Sequence, residues 1–360
     1  MLPVTVAFAS DDGYAPYLLV AVSSFLNHLP ADRVATVVVM DSGISAYYKD
    51  RLQEIVQSGH PQAALRFLPV AELDTQLDAF FSRRGKKGRV TRWSYTTYYR
   101  LFLSSLLPDC SRLLYIDVDV LICDDLSKLI DLDMQGKSVG TVQDVSLCCD
   151  LSTEAERTRL AASGHDMSRY FNAGIMLIDL DKWRSVPSFI DKVEEVFCAL
   201  PDLMYPDQDI LNYMFRDDMI CLEKRWNFLT PQIESSTLIP ESSEYRDDIV
   251  KREAFGIIHY AGVKPWKDAE SCPLASYWWR EARRAGVEGD IIRREMQLVR
   301  KYLLAKAGAP RAGSLKLQIF VLKLKLLMTS GDRKVVLKGR LQRLEEKLRK
   351  AQAARRVRLK

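Results

Sequence analysis

Short unbroken apolar runs alternate with segments of helical period from the start of the chain. "VTVAFA" is followed by "YAPYLLVAVSSFLNHL", "VATVVVM" by "ISAYYKDRLQEIVQS", and then comes "ALRFLPV". Each run is apolar on both faces, as a strand must be when helices cover both sides of its sheet. Strand and helix alternating at this spacing predict an α/β chain built on a parallel, Rossmann-like sheet. Further along, the helical segment "SYTTYYRLFLSSLLP" feeds the strand "RLLYIDVDV". "SVGTVQD", "FNAGIMLIDL" and "FGIIHYAG" read as later strands, and "DKWRSVPSFIDKVEEVFCAL" and "DQDILNYMF" as helices. A chain of 360 residues, 48% hydrophobic and 28% charged, can bury a sizeable core, and no internal repeat divides it.

The stretch "LLYIDVDVLICDDL", residues 113–126, carries two carboxylates, Asp117 and Asp119, at the end of its apolar run. Ligands of open α/β sheets sit outside the carboxyl ends of the strands, which is where these two acids fall. Residues two apart in a strand face the same side. Two carboxylates there repel unless a cation lies between them or one is protonated. A hard divalent metal carrying a diphosphate suits such a pair, since Mg²⁺ and Mn²⁺ prefer carboxylate and phosphate oxygens. Haloacid-dehalogenase phosphatases also place Asp-x-Asp after an apolar strand. Their second Asp is normally followed by a small pair such as Gly-Thr, and Val120-Leu121 here weighs against that reading.

Other motifs follow in a fixed order. "FASDDGYAPYL" (8–18) ends the first strand and "TTYYRL" (96–101) precedes the acidic pair. "YFNAGIMLIDLDKW" (170–183), "DQDILN" (207–212), "RWNF" (225–228) and "HYAGVKPW" (259–266) come after it. Together they resemble glycosyltransferase family 8, the retaining GT-A enzymes that include bacterial lipopolysaccharide galactosyl- and glucosyltransferases. The resemblance covers roughly residues 4–285. It implies a GT-A fold with a Rossmann-like mixed central sheet and flanking helices.

The resemblance also implies a site. Asp117, Asp119 and His259 would hold Mn²⁺, with Mg²⁺ as the other candidate, and Val118 between the two acids would contact the donor; an imidazole favours Mn²⁺ because it is the softer donor. Lys264 and the backbone at Gly262 would contact the diphosphate of a UDP-sugar. Ala9, Asp11 and Tyr14 match the nucleoside-binding turn, where Asp11 can accept the uracil N3–H and Tyr14 can stack on the base. The family often has Asn where this chain has Gly13. Arg100 matches the arginine that reaches the donor sugar and phosphate. Asp144, Asn172, Asp207 and Gln208 would line the sugar pocket, with Gln208 beside the anomeric carbon as electrostatic support. Asp207 also reads as a cap for the helix it opens. A double displacement needs a carboxylate near the anomeric carbon and a front-face return needs none; the front-face route is the expected one.

The net charge of +5 conceals an asymmetry: residues 311–360 carry sixteen Lys/Arg and three acids, so the first 310 residues are mildly acidic. The boundary falls at the linker-like "KAGAPRAGS", 306–314. The expected organisation is a catalytic domain over residues 1–285, a helix and linker over 286–310 and a basic amphipathic helical tail over 311–360. In the tail, "LKLQIFVLKLKLLM" reads either as a core-docking helix or as one lying in a membrane interface. Leu337, Leu341, Leu344 and Leu348 form one apolar seam beside basic residues. The tail lacks interleaved aromatics and the body is acidic, so an anionic membrane surface is the expected partner and nucleic acid is not. "SRRGKKGR", 82–89, reads as a solvated basic loop or as a lid over the diphosphate. The seven cysteines show no zinc spacing, and the adjacent Cys148 and Cys149 suggest neither a zinc site nor a redox pair. With no visible leader and no membrane-spanning run, the expected setting is cytoplasmic, peripheral on the inner face of the membrane, with a glycan or glycolipid acceptor. A glycogenin-like self-glucosylating protein and a catalytically silent UDP-sugar-binding scaffold are the alternatives.

Overall fold

The computed structural model describes residues 3–83, 95–144, 154–162, 164–166, 168–186, 189–200, 205–231, 255–305 and 340–347, with Ile319, Leu322 and Lys338. Two compact units divide the chain, residues 1–285 and 286–360. Most of the basic stretch 82–89, Cys148 and Cys149, most of the apolar segment 315–328, and Leu337 and Leu348 of the leucine seam lie outside the described residues.

The first unit begins with β1 (Val4–Asp11), α1 (Ala15–His28), β2 (Ala35–Ser42), α2 (Ala46–Gly59), β3 (Ala63–Pro69) and α3 (Ala71–Arg83). The three strands are parallel, with Val4 opposite Ala35 and Ala35 opposite Ala63. α1 starts with a proline in its first turn, where the missing N–H costs nothing. Every residue from Ala15 to Leu26 is buried, which explains an apolar sequence with no polar face.

Next come β4 (Arg112–Ile116), β5 (Val120–Ile122), β6 (Val139–Gln143), α4 (Glu154–Ala162), β7 (Phe171–Asp179), α5 (Leu180–Ser185), α6 (Phe189–Ala199) and α7 (Pro206–Phe215). The unit ends with β8 (Met219–Cys221), β9 (Phe228–Leu229), β10 (Ile257–His259) and α8 (Ala275–Arg284). Among the described residues the main sheet has seven strands in the order β3-β2-β1-β4-β7-β6-β8, and a small sheet has the order β5-β10-β9. β4 is parallel to β1, whereas β7 runs antiparallel to both β4 and β6. The sheet is therefore mixed. Its order turns between β1 and β4, and that turning point opens a crevice beyond the carboxyl ends of the two strands.

Three local expectations change. "RLLYIDVDV" is not one strand: β4 stops at Ile116, and the chain bends through Asp117-Val118-Asp119 before β5 joins the other sheet. The bend is pinned on both sides, by Asp117 N–H donating to the Gly174 carbonyl at 2.8 Å and Tyr260 N–H donating to the Asp119 carbonyl at 2.9 Å. The two acids thus sit where one strand leaves one sheet for another. "SYTTYYRLF" is wound as a 3-10 helix, Tyr95–Phe102, and only Leu103–Leu106 is α-helical. The tighter winding accompanies burial of every residue from Tyr98 to Phe102, with the Arg100 side chain taking the Thr97 carbonyl for itself at 3.0 Å. The long helix expected after Asp181 is two helices, α5 and α6. Pro187 lies in the sequence between them, and a proline removes a helical donor and disfavours helix at the residue before it.

Beneath the crevice, Trp183 stacks on Phe189 and Phe215 with ring centroids 5.0 Å apart in each case. Leu101, Tyr98, Ile210 and Leu211 join the same buried cluster, fixing the 3-10 helix against α7. On the other side, α1 holds the small sheet through Ser24 Oγ, which accepts the Ile122 N–H at 3.1 Å.

In the second unit, α9 (Glu288–Ala305) is a long helix, and residues 340–347 are helical. Leu341 is buried and Leu344 half-buried, while Arg340, Arg343 and Lys347 are exposed. No helix among the described residues is long and apolar enough to cross a membrane.

Candidate active site

Antiparallel pairing assembles the site. β7 runs opposite to β4, so its first residues, "FNAG", arrive beside the last residues of β4, with Ile116 opposite Ile175. β10 runs opposite to β5, which sets His259 across from Val120 and beside the acidic bend. A chain that bends at Asp117–Asp119 is thereby met by Asn172 and Gly174 from one sheet and by His259 from the other.

Ligand atoms of Asp117, Asp119 and His259 all lie within 4.8 Å of one another. Each carboxylate has one oxygen anchored. Asp117 Oδ1 accepts from Arg100 Nη2 at 2.8 Å and from the Tyr115 hydroxyl at 3.0 Å. Asp119 Oδ2 pairs with Lys264 Nζ. The other oxygens remain for the centre of the cluster, where Asp119 Oδ1 is 3.4 Å from His259 Nε2. A Cβ placed on Gly174 would fall 2.4 Å from His259 Cε1, 2.8 Å from Asp117 Oδ2 and 3.0 Å from Asn172 Oδ1. Only a glycine lets these three groups approach so closely.

A cavity of about 330 Å³ opens over the cluster. Its walls carry Arg100, Asp117, Asp119, Asp144, Asn172, Asp207, Gln208, His259 and Lys264, all expected from the sequence, and also Thr97, Gly174, Tyr205 and Pro231. Among the described residues this wall carries four carboxylates, Asp117, Asp119, Asp144 and Asp207, against the two cations Arg100 and Lys264, an excess of negative charge that a divalent cation would offset. Two carboxylate oxygens and an imidazole nitrogen are a donor set that suits a divalent metal. The residues present therefore fit such an ion.

Ala9, Asp11, Tyr14, Val118 and Gly262 do not line this cavity. Ala9 and Asp11 end β1 at the same edge of the sheet. Asp11 Oδ1 accepts the Tyr14 N–H at 2.9 Å, forming the turn into α1. Tyr14 is 39% exposed and meets Trp266 edge-on, leaving ring surface open to solvent. Val118 is buried, and Gly262 sits close to Pro231, whose Cγ would be 3.0 Å from an added Cβ.

Arg100 is buried, and each of its three nitrogens is engaged inside the protein. Nε donates to the Thr97 carbonyl at 3.0 Å and faces Asp207 Oδ2 at 3.1 Å, Nη1 donates to the Ala173 carbonyl at 2.7 Å, and Nη2 holds Asp117. The guanidinium also lies 4.4 Å over the Tyr115 ring. Burial works to discharge it, but Asp117, with help from Asp207 and Asp119, more than restores the charge. One cation thus serves two acids, and Asp207 is the less favoured. Burial raises the Asp207 carboxyl to about 6, Arg100 only partly offsetting that and Asp117 adding to it. Asp119 goes the other way: burial would raise it, but Lys264, joined by His259 whenever that ring is protonated, holds it well below the usual carboxylate range.

Asp207 is not the capping residue of α7: Tyr205 holds that position, and Asp209 Oδ2 reaches back to accept the Tyr205 N–H at 3.1 Å. The Asp207 carboxylate still meets backbone N–H groups of the first turn, its own and that of Gln208, as well as Arg100. Gln208 is held at both ends of its amide: Oε1 accepts the Ala173 N–H at 3.0 Å and Nε2 donates to Asp144 Oδ2 at 3.2 Å. Asp144 Oδ2 also accepts from Asn172 Nδ2 at 3.1 Å.

Sequence reasoning assigned no role to Gly174, Tyr115 or Asn227. Gly174 and Asn227 lie within quoted motifs, "FNAG" and "RWNF", so the signal was present but not resolved to the residue. Asn227 is buried under His259, whose Nδ1 lies 2.9 Å from Asn227 Oδ1.

Comparison with known proteins gives a consistent result. The profile of the family described as Glycosyl transferase family 8 matches residues 5–270. General stress protein A of Bacillus subtilis is 31% identical over 274 residues, which is 73% of this chain and 87% of that protein. Lipopolysaccharide 1,2-glucosyltransferase of Escherichia coli K12 is 30% identical over 189 residues, which is 52% of this chain and 53% of that protein. Among solved structures, galactosyltransferase LgtC in complex with donor and acceptor sugar analogs aligns with a TM-score of 0.62 at 28% identity, covering 78% of this chain and 96% of that one.

Proposed function

The chain belongs to glycosyl transferase family 8 and has a GT-A fold, and from this premise we propose that it moves a hexose, galactose or glucose, from a UDP-sugar to a glycan or glycolipid acceptor. The reaction retains anomeric configuration, depends on Mn²⁺ and serves bacterial lipopolysaccharide or surface-glycan synthesis. The observation that carries this reading is the convergence of Asp117, Asp119 and His259 on one point at the mouth of the crevice. The names of the relatives supply the sugar class and the setting.

Asp117, Asp119 and His259 are the residues that would hold the metal, which when bound offsets charge on the diphosphate as UDP departs. Lys264, pivoting from Asp119, adds a positive charge for the phosphates. Asp11 and Tyr14 receive the nucleoside at the end of β1, with Ala9 beneath it and Gly262 allowing the backbone near the diphosphate. Asp144, Asn172 and Asp207 hold sugar hydroxyls, and Arg100 keeps Asp117 and Asp207 in place beside the donor. Gln208 borders the anomeric position. Asp207 is tied to Arg100, and Asp144 to Asn172 and Gln208, which favours a front-face return over attack by a carboxylate. The leaving phosphate then takes the acceptor proton.

The tail supplies location. Residues 311–360 carry a net charge of +13, and each juxtamembrane cation contributes about 1 kcal/mol at an anionic surface. The protein works at the inner face of the cytoplasmic membrane.

The test is a panel of UDP-sugars with Mn²⁺ and no acceptor, scored for slow donor hydrolysis. UDP-galactose or UDP-glucose should turn over, and EDTA should stop it. Failure of every UDP-hexose to turn over overturns the assignment.

A further inference from the structure

A single directed chain of amides runs beneath the site. Its direction is set by a group that cannot rotate: the backbone N–H of Gly174 donates to Asn172 Oδ1 at 3.0 Å. That fixes the Asn172 amide, whose Nδ2 must then face Asp144 Oδ2, 3.1 Å away. Asn172 Oδ1 also takes a second donor, Asn227 Nδ2, at 2.9 Å. With its nitrogen so committed, Asn227 presents Oδ1 to His259 Nδ1 at 2.9 Å. An amide oxygen can only accept, so Nδ1 must carry the proton. The other ring nitrogen, Nε2, is then bare and faces Asp119.

We infer that Asn227 is a positioning residue: it fixes His259 in the Nδ1–H tautomer, with Nε2 presented to the cation, and couples that ligand through Asn172 to the Asp144–Gln208 pair of the sugar pocket. This rests on the metal-dependent transfer proposed above. His259 and Asn227 are both almost fully buried, so water does not stand in for either partner. The partner of a ligating imidazole sets which nitrogen faces the metal and how the ring is turned. Here that partner is not a carboxylate or a backbone carbonyl but an amide, which accepts at one end and donates at the other. The chain ends on Asp144 Oδ2, which also receives Gln208 Nε2. A shift of the His259 ring thus moves a hydrogen bond at Asn172 and reaches the group that holds Gln208.

Two variants separate the two jobs. Asn227→Asp keeps an acceptor for Nδ1–H but has no donor for Asn172. Asn227→Leu has neither. The tautomer is read from long-range ¹⁵N–¹H correlation spectra of the metal-free protein at alkaline pH, where imidazoles are neutral and only four histidines contribute. His259 is assigned by the loss of its signals in His259→Gln. Mn²⁺ affinity is read separately by electron paramagnetic resonance of the free ion.

Wild type should show Nδ1–H at His259. Asn227→Leu should lose that tautomer and bind Mn²⁺ about 10–100-fold more weakly. Asn227→Asp should keep both the tautomer and the affinity, yet hydrolyse donor more slowly at saturating Mn²⁺. An Nε2–H tautomer in wild type overturns the inference without mutation, even if Asn227→Leu fails to fold. Wild-type tautomer and Mn²⁺ affinity in a folded Asn227→Leu overturn it too, and undiminished donor hydrolysis in Asn227→Asp overturns the coupling. If wild type binds no Mn²⁺ at all, the metal-dependent reading fails instead, and the tautomer of the metal-free protein still decides whether Asn227 fixes the ring.

Discussion

Replacing Gly174 by alanine adds one methyl group at the most crowded point of the site. Gly174 lies within β7 and has no positive φ, so the backbone accepts alanine. The effect is steric. The new Cβ would sit 2.4 Å from His259 Cε1, where carbon atoms in contact stand about 3.5–4.0 Å apart, so the ring must retreat by about 1 Å or more. It has little freedom to do so, because Nδ1 is bonded to buried Asn227. Asp117 Oδ2 and Asn172 Oδ1, at 2.8 Å and 3.0 Å from the same Cβ, are pressed as well. A misplacement of about 1 Å costs about 100-fold in rate, or roughly 3 kcal/mol in the barrier. Disturbing a metal ligand together with its support costs about 10–100-fold in metal affinity. We therefore expect Gly174→Ala to fold and to keep its core. It should bind Mn²⁺ at least tenfold more weakly, by order of magnitude, and hydrolyse UDP-hexose about 100-fold more slowly. Electron paramagnetic resonance of free Mn²⁺ and a coupled UDP-release assay read the two quantities. A variant with wild-type Mn²⁺ affinity and wild-type turnover would refute the geometry assigned to the metal cluster.

Gln208→Ala should lower kcat with little change in donor KM. It should also lower thermal stability by about 1–3 kcal/mol, because the buried Ala173 N–H loses its acceptor; a selective rise in KM would make Gln208 an ordinary donor contact. Asp207 sets a pH dependence of stability. Its folded-state value of about 6 lies above its ordinary 3.8, so its contribution is greatest below about pH 4 and is lost as pH rises through about 6, by at most roughly 3 kcal/mol. Denaturant unfolding of the metal-free protein across this range should show a fall that Asp207→Asn abolishes; an unchanged profile in that variant would contradict the raised value. Removing residues 311–360 takes away a charge of +13, and the shortened chain should bind UDP-sugar normally, lose co-sedimentation with anionic liposomes and lose activity on a lipid-embedded acceptor only. Full-length protein that ignores anionic liposomes at low salt would remove the membrane proposal.

What could be read from the sequence was local. β1, β2, β3 and the helices between them announce themselves because burial on both faces leaves an unbroken apolar run. The Asp-x-Asp pair is visible because an apolar strand ends in charge, and "DQDILN" because a proline and acids open a helix. Non-local pairing was not legible. Nothing in "RLLYIDVDV" says that β4 and β5 belong to different sheets; that follows from β10 pairing with β5 and β7 with β4. Capping shows the same limit. Asp207 meets first-turn backbone N–H groups of α7, but that Tyr205 is the capping residue and that Arg100, far away in sequence, shares the Asp207 carboxylate could not be read from "DQDILN". Arg100 lines the cavity, and its engagement of Thr97, Ala173, Asp117 and Asp207 could not be read from "TTYYRL". Asn227 lies 32 residues before His259, and only the parallel register of β9 and β10 brings the two together.

The account turns on one statement, that Asp117, Asp119 and His259 bind a cation that in turn holds a uridine diphosphate. Calorimetric titration of UDP into wild type and Asp119→Asn, each with and without Mn²⁺, tests it without any acceptor. Wild type should bind UDP much more tightly with Mn²⁺ than without, and Asp119→Asn should show no gain from the metal. Equal UDP affinity with and without Mn²⁺ in the wild type, or an undiminished Mn²⁺ effect in Asp119→Asn, would contradict it.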